Sequence, residues 1–176
     1  MKCGQRFHCC WYVAMGMACA ALLVSGEPTH VARCLAQSTA DSASDEYKLA
    51  VGLYKQQRWA LAAETLRQFV KAHPRHAKVA PARLYLGLTL VNLRDYQAAR
   101  EVLRGYIADY PNSRELPHAL YRVAECSYFL DDLKSAEREF QAFLRKAPRD
   151  PLGEYAYPYL ADTQLRLGKP DKALAS

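Results

Sequence analysis

Three groups of side chains in this chain could do chemistry, and each has a plainer use. His73 and His76, in His-Pro-Arg-His, are close enough in sequence to share a metal ion. No carboxylate or cysteine adjoins them, and two ligands hold a metal weakly, so they fit turn residues better. Asp131 and Asp132 are adjacent carboxylates that could divide acid and base roles. They fall in a break between helical patterns, which suits a loop residue and an N-cap. Of six cysteines, four (Cys3, Cys9, Cys10, Cys19) lie in the first twenty residues, and Cys34 and Cys126 stand alone. Two isolated thiols are not a disulfide framework. His118 is single and near a helix start, and the chain has no Gly-rich phosphate loop, nucleophile elbow or His-Glu-x-x-His. No enzyme, cofactor or metal site is implied, so function must come from a surface.

The elements that would build that surface repeat every 37 residues. A bulky or ring-shaped residue stands three places before an alanine at Trp59/Ala62, Tyr96/Ala99, Leu133/Ala136 and Pro170/Ala173. Large apolar residues follow at Leu66, Leu103 and Phe140, then at Phe69, Tyr106 and Phe143, and a proline at Pro74, Pro111 and Pro148. Upstream, a large–small pair recurs at Leu49-Ala50, Leu86-Gly87, Val123-Ala124 and Leu160-Ala161. A period of this length with paired helical patterns predicts a solenoid. Asp95 and Asp132 suit N-caps of second helices, Pro170 suits a first helical position, and the three prolines end second helices. The small residues sit where two helices must approach closely.

The 176 residues carry 51% hydrophobic and 24% charged side chains, which excludes a disordered or collagenous chain. Net charge is +6. Lys2 and Arg6 are the only formal charges among the first 26 residues, so without that segment it falls by two, to +4. The charge is interspersed, with no basic run of the kind that tracks a phosphate backbone, so no nucleic-acid partner is expected. Lys2 and Arg6, the apolar stretch 9–24 and Val24-Ser25-Gly26 predict a signal peptide over 1–26, cleaved to leave Glu27 first. Its 16 apolar residues fall short of the roughly 20 that span a bilayer. An uncleaved inner-membrane anchor over 9–24 is the alternative, and the only membrane contact expected. Residues 27–44, small and polar, predict a flexible linker before a folded array over 45–176.

The array resembles tetratricopeptide repeats, with copies at about 43–79, 80–116, 117–153 and an incomplete 154–176. The segment Tyr110-Pro111-Asn112-Ser113, a short insert, then Pro117-His118-Ala119-Leu120-Tyr121 resembles envelope members of bacteria, of the Tol–Pal coordinator and outer-membrane assembly lipoprotein types. The resemblance implies an all-α fold, a right-handed α-solenoid of antiparallel helix pairs with about 3.5 units. It implies a non-catalytic exported scaffold of the periplasm or cell envelope, binding a protein or peptide in its concave groove. The alternative is an N-terminal spacer or docking segment of a larger protein.

Carried over by register, the groove positions on first helices are Tyr47, Val51, Tyr54 and Lys55, then Leu84, Leu88, Val91 and Asn92. The third copy supplies Tyr121, Glu125, Tyr128 and Phe129, and the fourth Tyr159, Asp162, Leu165 and Arg166. Tyrosine is amphipathic and enriched at interfaces. The fourth copy begins a second helix at Pro170 and lacks the positions that would cover its first. Leu160, Leu165 and Leu167 are therefore expected to be exposed and to drive self-association.

Overall fold

Apolar stripes at helical spacing, bounded by aspartate caps and prolines, condense into eight helices and no strand among the described residues. The computed structural model describes residues 29–175, with side chains from 42 to 174. The predicted signal peptide, its cleavage site and the Cys34 side chain lie outside the described residues. In chain order the helices are α1 (Thr29–Lys55), α2 (Trp59–Ala72), α3 (Val79–Asn92) and α4 (Tyr96–Asp109). They continue as α5 (Leu116–Phe129), α6 (Leu133–Lys146), α7 (Gly153–Arg166) and α8 (Pro170–Ala175). First helices α3, α5 and α7 begin one residue before the repeat boundaries expected from sequence.

The linker expectation needs correction. Helix α1 starts at Thr29 and runs through the segment expected to be flexible. That segment has no glycine or proline after Pro28 and places alanine at 32, 36, 40 and 43. Alanine is the best helix former, so small composition here favours helix over spacer. Ala43 and Ala50 are buried and align with Tyr47 and Tyr54 on one stripe of α1.

Each helix packs on the next, and the first helices also touch their counterparts: α1 on α3, α3 on α5, α5 on α7. The second helices α2, α4 and α6 do not touch one another. The first helices therefore line the concave side.

The turn inside each pair is a fixed device. Gln57, Arg94, Asp131 and Gly168, spaced by 37, all adopt left-handed φ of 59°, 60°, 60° and 72°. The amide after each bonds back five residues, as in Asp95 N to Leu90 O and Asp132 N to Ser127 O, both 3.0 Å. This is the Schellman end, which satisfies carbonyls left over by the helix and asks one residue to enter the left-handed region. Only Gly168 does so without a Cβ penalty. Asp95 and Asp132 then cap α4 and α6, accepting from the Ala98 and Ser135 amides at 3.2 and 3.3 Å. Second helices end at Ala72, Asp109 and Lys146, two residues before each proline.

Ala62, Ala99 and Ala136 on second helices and Ala50, Gly87 and Ala124 on first helices are buried, as the register requires. Gly87 needs its missing side chain: a Cβ there would lie 2.4 Å from Leu103 Cδ2. Ala161 and Ala173 are only half-buried, where α8 runs six residues. Leu160, expected to be exposed, is buried with Phe140, Phe143 and Ala156, whereas Leu165 is 56% exposed. Leu160 faces back into the third repeat, which is complete. Ala99→Leu is expected to overpack α3 against α4 and cost about 1–3 kcal/mol. Gln97→Leu, at an exposed position, should stay within about 0.5 kcal/mol in the same urea melts. Equal costs would mean the register is misassigned.

The three junctions between repeats share positions but not chemistry. At 63/100/137 on second helices, 90/127/164 on the following first helices and 95/132/169 in the turns, the residues change class. Junction one places Ala63 and Leu90, both buried, in these positions. Junction two is polar: Arg100 Nη1 lies 3.0 Å from Asp132 and 3.4 Å from Ser127 Oγ. Ser127 Oγ donates to Glu139 at 2.5 Å, and Arg104 pairs with Glu139. Junction three reverses the charges, with Glu137 accepting from Lys169 at 2.5 Å where Arg100 and Asp132 stand one repeat earlier.

Candidate functional site

On the concave side, α1, α3 and α5 enclose a cavity of about 440 Å³ lined by Tyr47, Tyr54, Pro81, Leu84, Tyr85, Leu88, Glu115 and His118. Its walls come from three successive repeats because first helices stack directly on one another. Leu84 and Leu88 are nearly covered and form its apolar floor. Tyr47 packs tilted on Phe69 at 5.7 Å, with the Lys78 ammonium 5.9 Å from its ring. Tyr54 meets Trp59 edge-on at 5.2 Å and Tyr85 at 5.0 Å. Burial pushes the Tyr47 and Tyr54 phenols above their usual range, and the Arg122 charge, two repeats away along the chain, opposes the rise at Tyr54. Those two phenols are therefore neutral at physiological pH.

The α5 wall is polar. Arg122 Nη1 donates to the nearly buried Glu125 at 2.7 Å, and its Nε lies 3.4 Å from His118 Nε2. Burial, then the neighbouring Arg122, push the His118 pKa down, so its ring is neutral near pH 7.

A second cluster lies at the far end of the same face. The Tyr128 hydroxyl donates to Asp162 at 2.8 Å, and Arg166 sits 5.5 Å over the Tyr128 ring while pairing with Asp131 and Asp162. Tyr128 meets Tyr159 at 4.8 Å and 64°, repeating at a 74-residue offset the Tyr54–Tyr85 pair at 5.0 Å and 68°. Phe129, 45% exposed, stacks on Tyr96 at 4.8 Å.

The expected groove residues thus divide. Tyr47, Tyr54, Leu84 and Leu88 meet at the cavity, and Tyr128, Phe129, Asp162 and Arg166 meet at the second cluster. Val51 and Val91 are half-buried, Lys55 is exposed, and Asn92 donates to the Leu88 carbonyl at the end of its own helix. Tyr121 is a correction: it turns inward and packs edge-on against Phe140 and Phe143. Its position faces the second helix of its own repeat, as Tyr47 faces Phe69. Tyr85, Arg122, Pro81 and His118 were missed. They lie one residue after and three before the positions chosen at 84 and 121, so a stripe centred one residue later finds them.

The remaining candidates are spent structurally. His76 Nδ1 accepts from the Lys78 amide at 3.1 Å, as Ser113 and Asp150 accept from Glu115 and Leu152 amides at the equivalent turns. His73 pairs with Glu46 at 3.0 Å. Asp132 caps and pairs, and Asp131 holds Arg166. Burial pushes the Cys126 thiol up to about 12, leaving it an inert core residue. Among the described residues no three metal-ligating side chains cluster, and no helix is long and apolar enough to cross a membrane.

Residues 47–114, which hold the cavity's α1 and α3 walls, match the tetratricopeptide repeat family model. That segment matches tetratricopeptide repeats. No curated protein matches the sequence significantly. Among solved structures, the array is similar to a MamA RS-1 double mutant, at 17% identity and TM-score 0.66, covering 76% of this chain and 70% of that one. MamA from residue 41 onward of Desulfovibrio magneticus RS-1 aligns at 16% identity and TM-score 0.65, covering 82% and 85%. Tetratricopeptide-like repeats of a putative kinesin light chain from Podosopora anserina (Q17M) align at 14% and 0.62, covering 77% and 71%. At these identities the likeness establishes a shared tetratricopeptide solenoid fold. Such arrays are generally non-catalytic scaffolds for protein–protein interaction.

Proposed function

We propose that the chain is an exported, non-catalytic scaffold of the cell envelope that holds a protein segment along its concave face. The observation that carries this reading is the cavity between α1, α3 and α5, where Tyr47, Tyr54 and Tyr85 converge over a leucine floor. Concave, mainly apolar sites with a few convergent polar groups are where ligands bind. Tyrosine gives such a site large contact area at small entropic cost. The export half of the proposal rests on the basic start, the apolar stretch 9–24 and the small residues at 24–26.

Site-specific photocrosslinking in intact cells tests both halves. A photoreactive phenylalanine in place of Tyr85 is expected to yield a discrete protein adduct in the envelope fraction. The same group at exposed Gln68, on second helix α2, should not. Equal adducts from both positions would overturn the groove, and adducts confined to the cytosol would overturn the envelope assignment.

A further inference from the structure

Second helices α4 and α6 both pack on α5 and do not touch each other, which leaves a furrow between them on the side away from the concave face. It holds a cavity of about 260 Å³ lined by Ile107 and Pro111, by Leu116 and Leu120 of α5, and by Ala142 and Lys146 of α6. The equivalent furrow one repeat earlier, between α2 and α4, has Val70, Val79 and Gly105 where this one has Ile107, Leu116 and Ala142. Two positions differ in kind. Arg83 stands in place of Leu120 and Asp109 in place of Lys146, and those two form an ion pair from α3 to α4. The second furrow has lost that bridge. Leu120 carries no charge, and Lys146 makes no hydrogen bond or ion pair among the described residues. The repeat backbone accepts a bridge here, so the open apolar form belongs to these side chains and not to the repeat.

The lining defines its complement. A cavity of about 260 Å³ falls below the roughly 300–1,000 Å³ of small-molecule sites and suits one anchoring side chain of a larger partner. That anchor has to be apolar, because Ile107, Leu116 and Leu120 offer only apolar surface to bury. Its neighbours have to be acidic. Lys146 closes the last turn of α6 beside Arg145, and Arg149 is exposed three residues on. The nearest acid in sequence, Asp150, already accepts from the Leu152 amide at 2.9 Å.

We propose that the furrow between α4 and α6 docks a protein segment carrying a large apolar residue flanked by Asp or Glu. The apolar side chain rests on Leu116 and Leu120, and a carboxylate meets Lys146. This is a second surface, across the solenoid from the concave groove, and it stands or falls independently of that groove.

Methyl resonances of Ile107, Leu116 and Leu120 in the full chain report occupancy. The probe is the blocked peptide acetyl-Ser-Glu-Phe-Glu-Ser-amide, which has no terminal carboxylate, compared with its Gln-Phe-Gln and Glu-Ala-Glu counterparts. The Glu-Phe-Glu peptide is expected to shift those methyls. It should bind about threefold to fivefold more tightly than the Gln-Phe-Gln peptide, the scale of one exposed charge pair, and raised salt should shrink the difference. Lys146→Gln, at an exposed position, should erase the difference without disturbing the fold. Leu120→Arg combined with Lys146→Asp rebuilds the bridge of the first furrow and should abolish binding. The inference is overturned if the Glu-Phe-Glu peptide moves none of these methyls, if either counterpart binds as tightly, or if Lys146→Gln keeps the preference. Octanoate moving the methyls where the peptide does not would make the occupant a fatty acid and overturn the protein partner. Shifts that grow with protein concentration alone, without peptide, would make it a second copy of this chain and overturn the partner equally.

Discussion

Phe140→Ala is expected to cost about 3–5 kcal/mol, the range for removing a fully buried phenylalanine. Positions 66, 103 and 140 are equivalent, and the first two are leucines. Only the third repeat places a ring there, and helices α5 and α7 both close on it. Tyr159 of α7 stacks on it at 5.7 Å and 5°, and Tyr121 of α5 meets it edge-on at 6.1 Å. Rigid rings on both sides cannot collapse into the space, so the cavity penalty adds to the lost transfer energy. Leu61→Ala, at an exposed site on α2, should stay within about 0.5 kcal/mol. The loss should also be local, because repeats are stabilised through nearest-neighbour interfaces. Amides of α7 should lose hydrogen-exchange protection before those of α3. A Phe140→Ala melt indistinguishable from that of Leu61→Ala would refute the packing, and uniform loss of protection would refute the nearest-neighbour account.

The fold was legible because the period made each residue speak four times. Asp95 and Asp132, the three prolines and the small residues each fall where one physical requirement recurs. Features that break the pattern of residue type were not legible. The left-handed turn position holds Gln57 and Arg94, which do not signal positive φ, and Asp131, which signals it only weakly; Gly168 does so plainly, and only the period extends its meaning to the others. Residues 29–44 read as spacer because polarity outweighed alanine content and the lack of helix breakers. In the groove, large residues at 47, 84 and 121 suggested a binding stripe. All three pack within their own repeats, Tyr47 on Phe69 and Tyr121 on Phe143, and although Tyr47 and Leu84 also reach the cavity, half-buried Tyr85 and Arg122 lie one residue later on the helix. A residue that packs inside its repeat and one that lines the groove are neighbours on the helix, and apolar size does not separate them.

Asp132→Lys is expected to destabilise by roughly 2–4 kcal/mol, because it removes a cap worth about 1 kcal/mol and opposes a partly buried guanidinium with a like charge. The Arg100 side chain is 14% exposed, and its Nε has no partner among the described residues, so it leans on Asp132 and Ser127. The Asp132 side chain is 41% exposed, which keeps the cost below that of a fully buried pair. Asp132→Asn retains a good cap and loses only the charge, so it should cost about 1 kcal/mol. Hydrogen bonds from Ser135, then the Arg100 guanidinium, hold the Asp132 carboxyl below the usual carboxylate range. A depressed folded pKa stabilises above the unfolded value, near 3.9, and that stability is lost as pH falls through the folded value. The gap between wild type and Asp132→Asn should therefore be full at neutral pH and close in acid. The next junction carries the same bridge reversed, Glu137 to Lys169, so opposite polarity is acceptable to the backbone here. Arg100→Glu combined with Asp132→Lys should accordingly recover much of what each single reversal loses, with a coupling of about 1–3 kcal/mol. A cycle without coupling would show that the charges are bystanders. In that case the alternation from apolar to Arg–Asp to Glu–Lys along the three junctions has no part in fixing which repeat stacks on which. A coupling of the expected size would make those junctions mutually mismatched, since Arg100 facing Lys169, or Glu137 facing Asp132, repeats the like-charge clash of Asp132→Lys. Repeat order in this solenoid would then be set by charge as well as by covalent sequence.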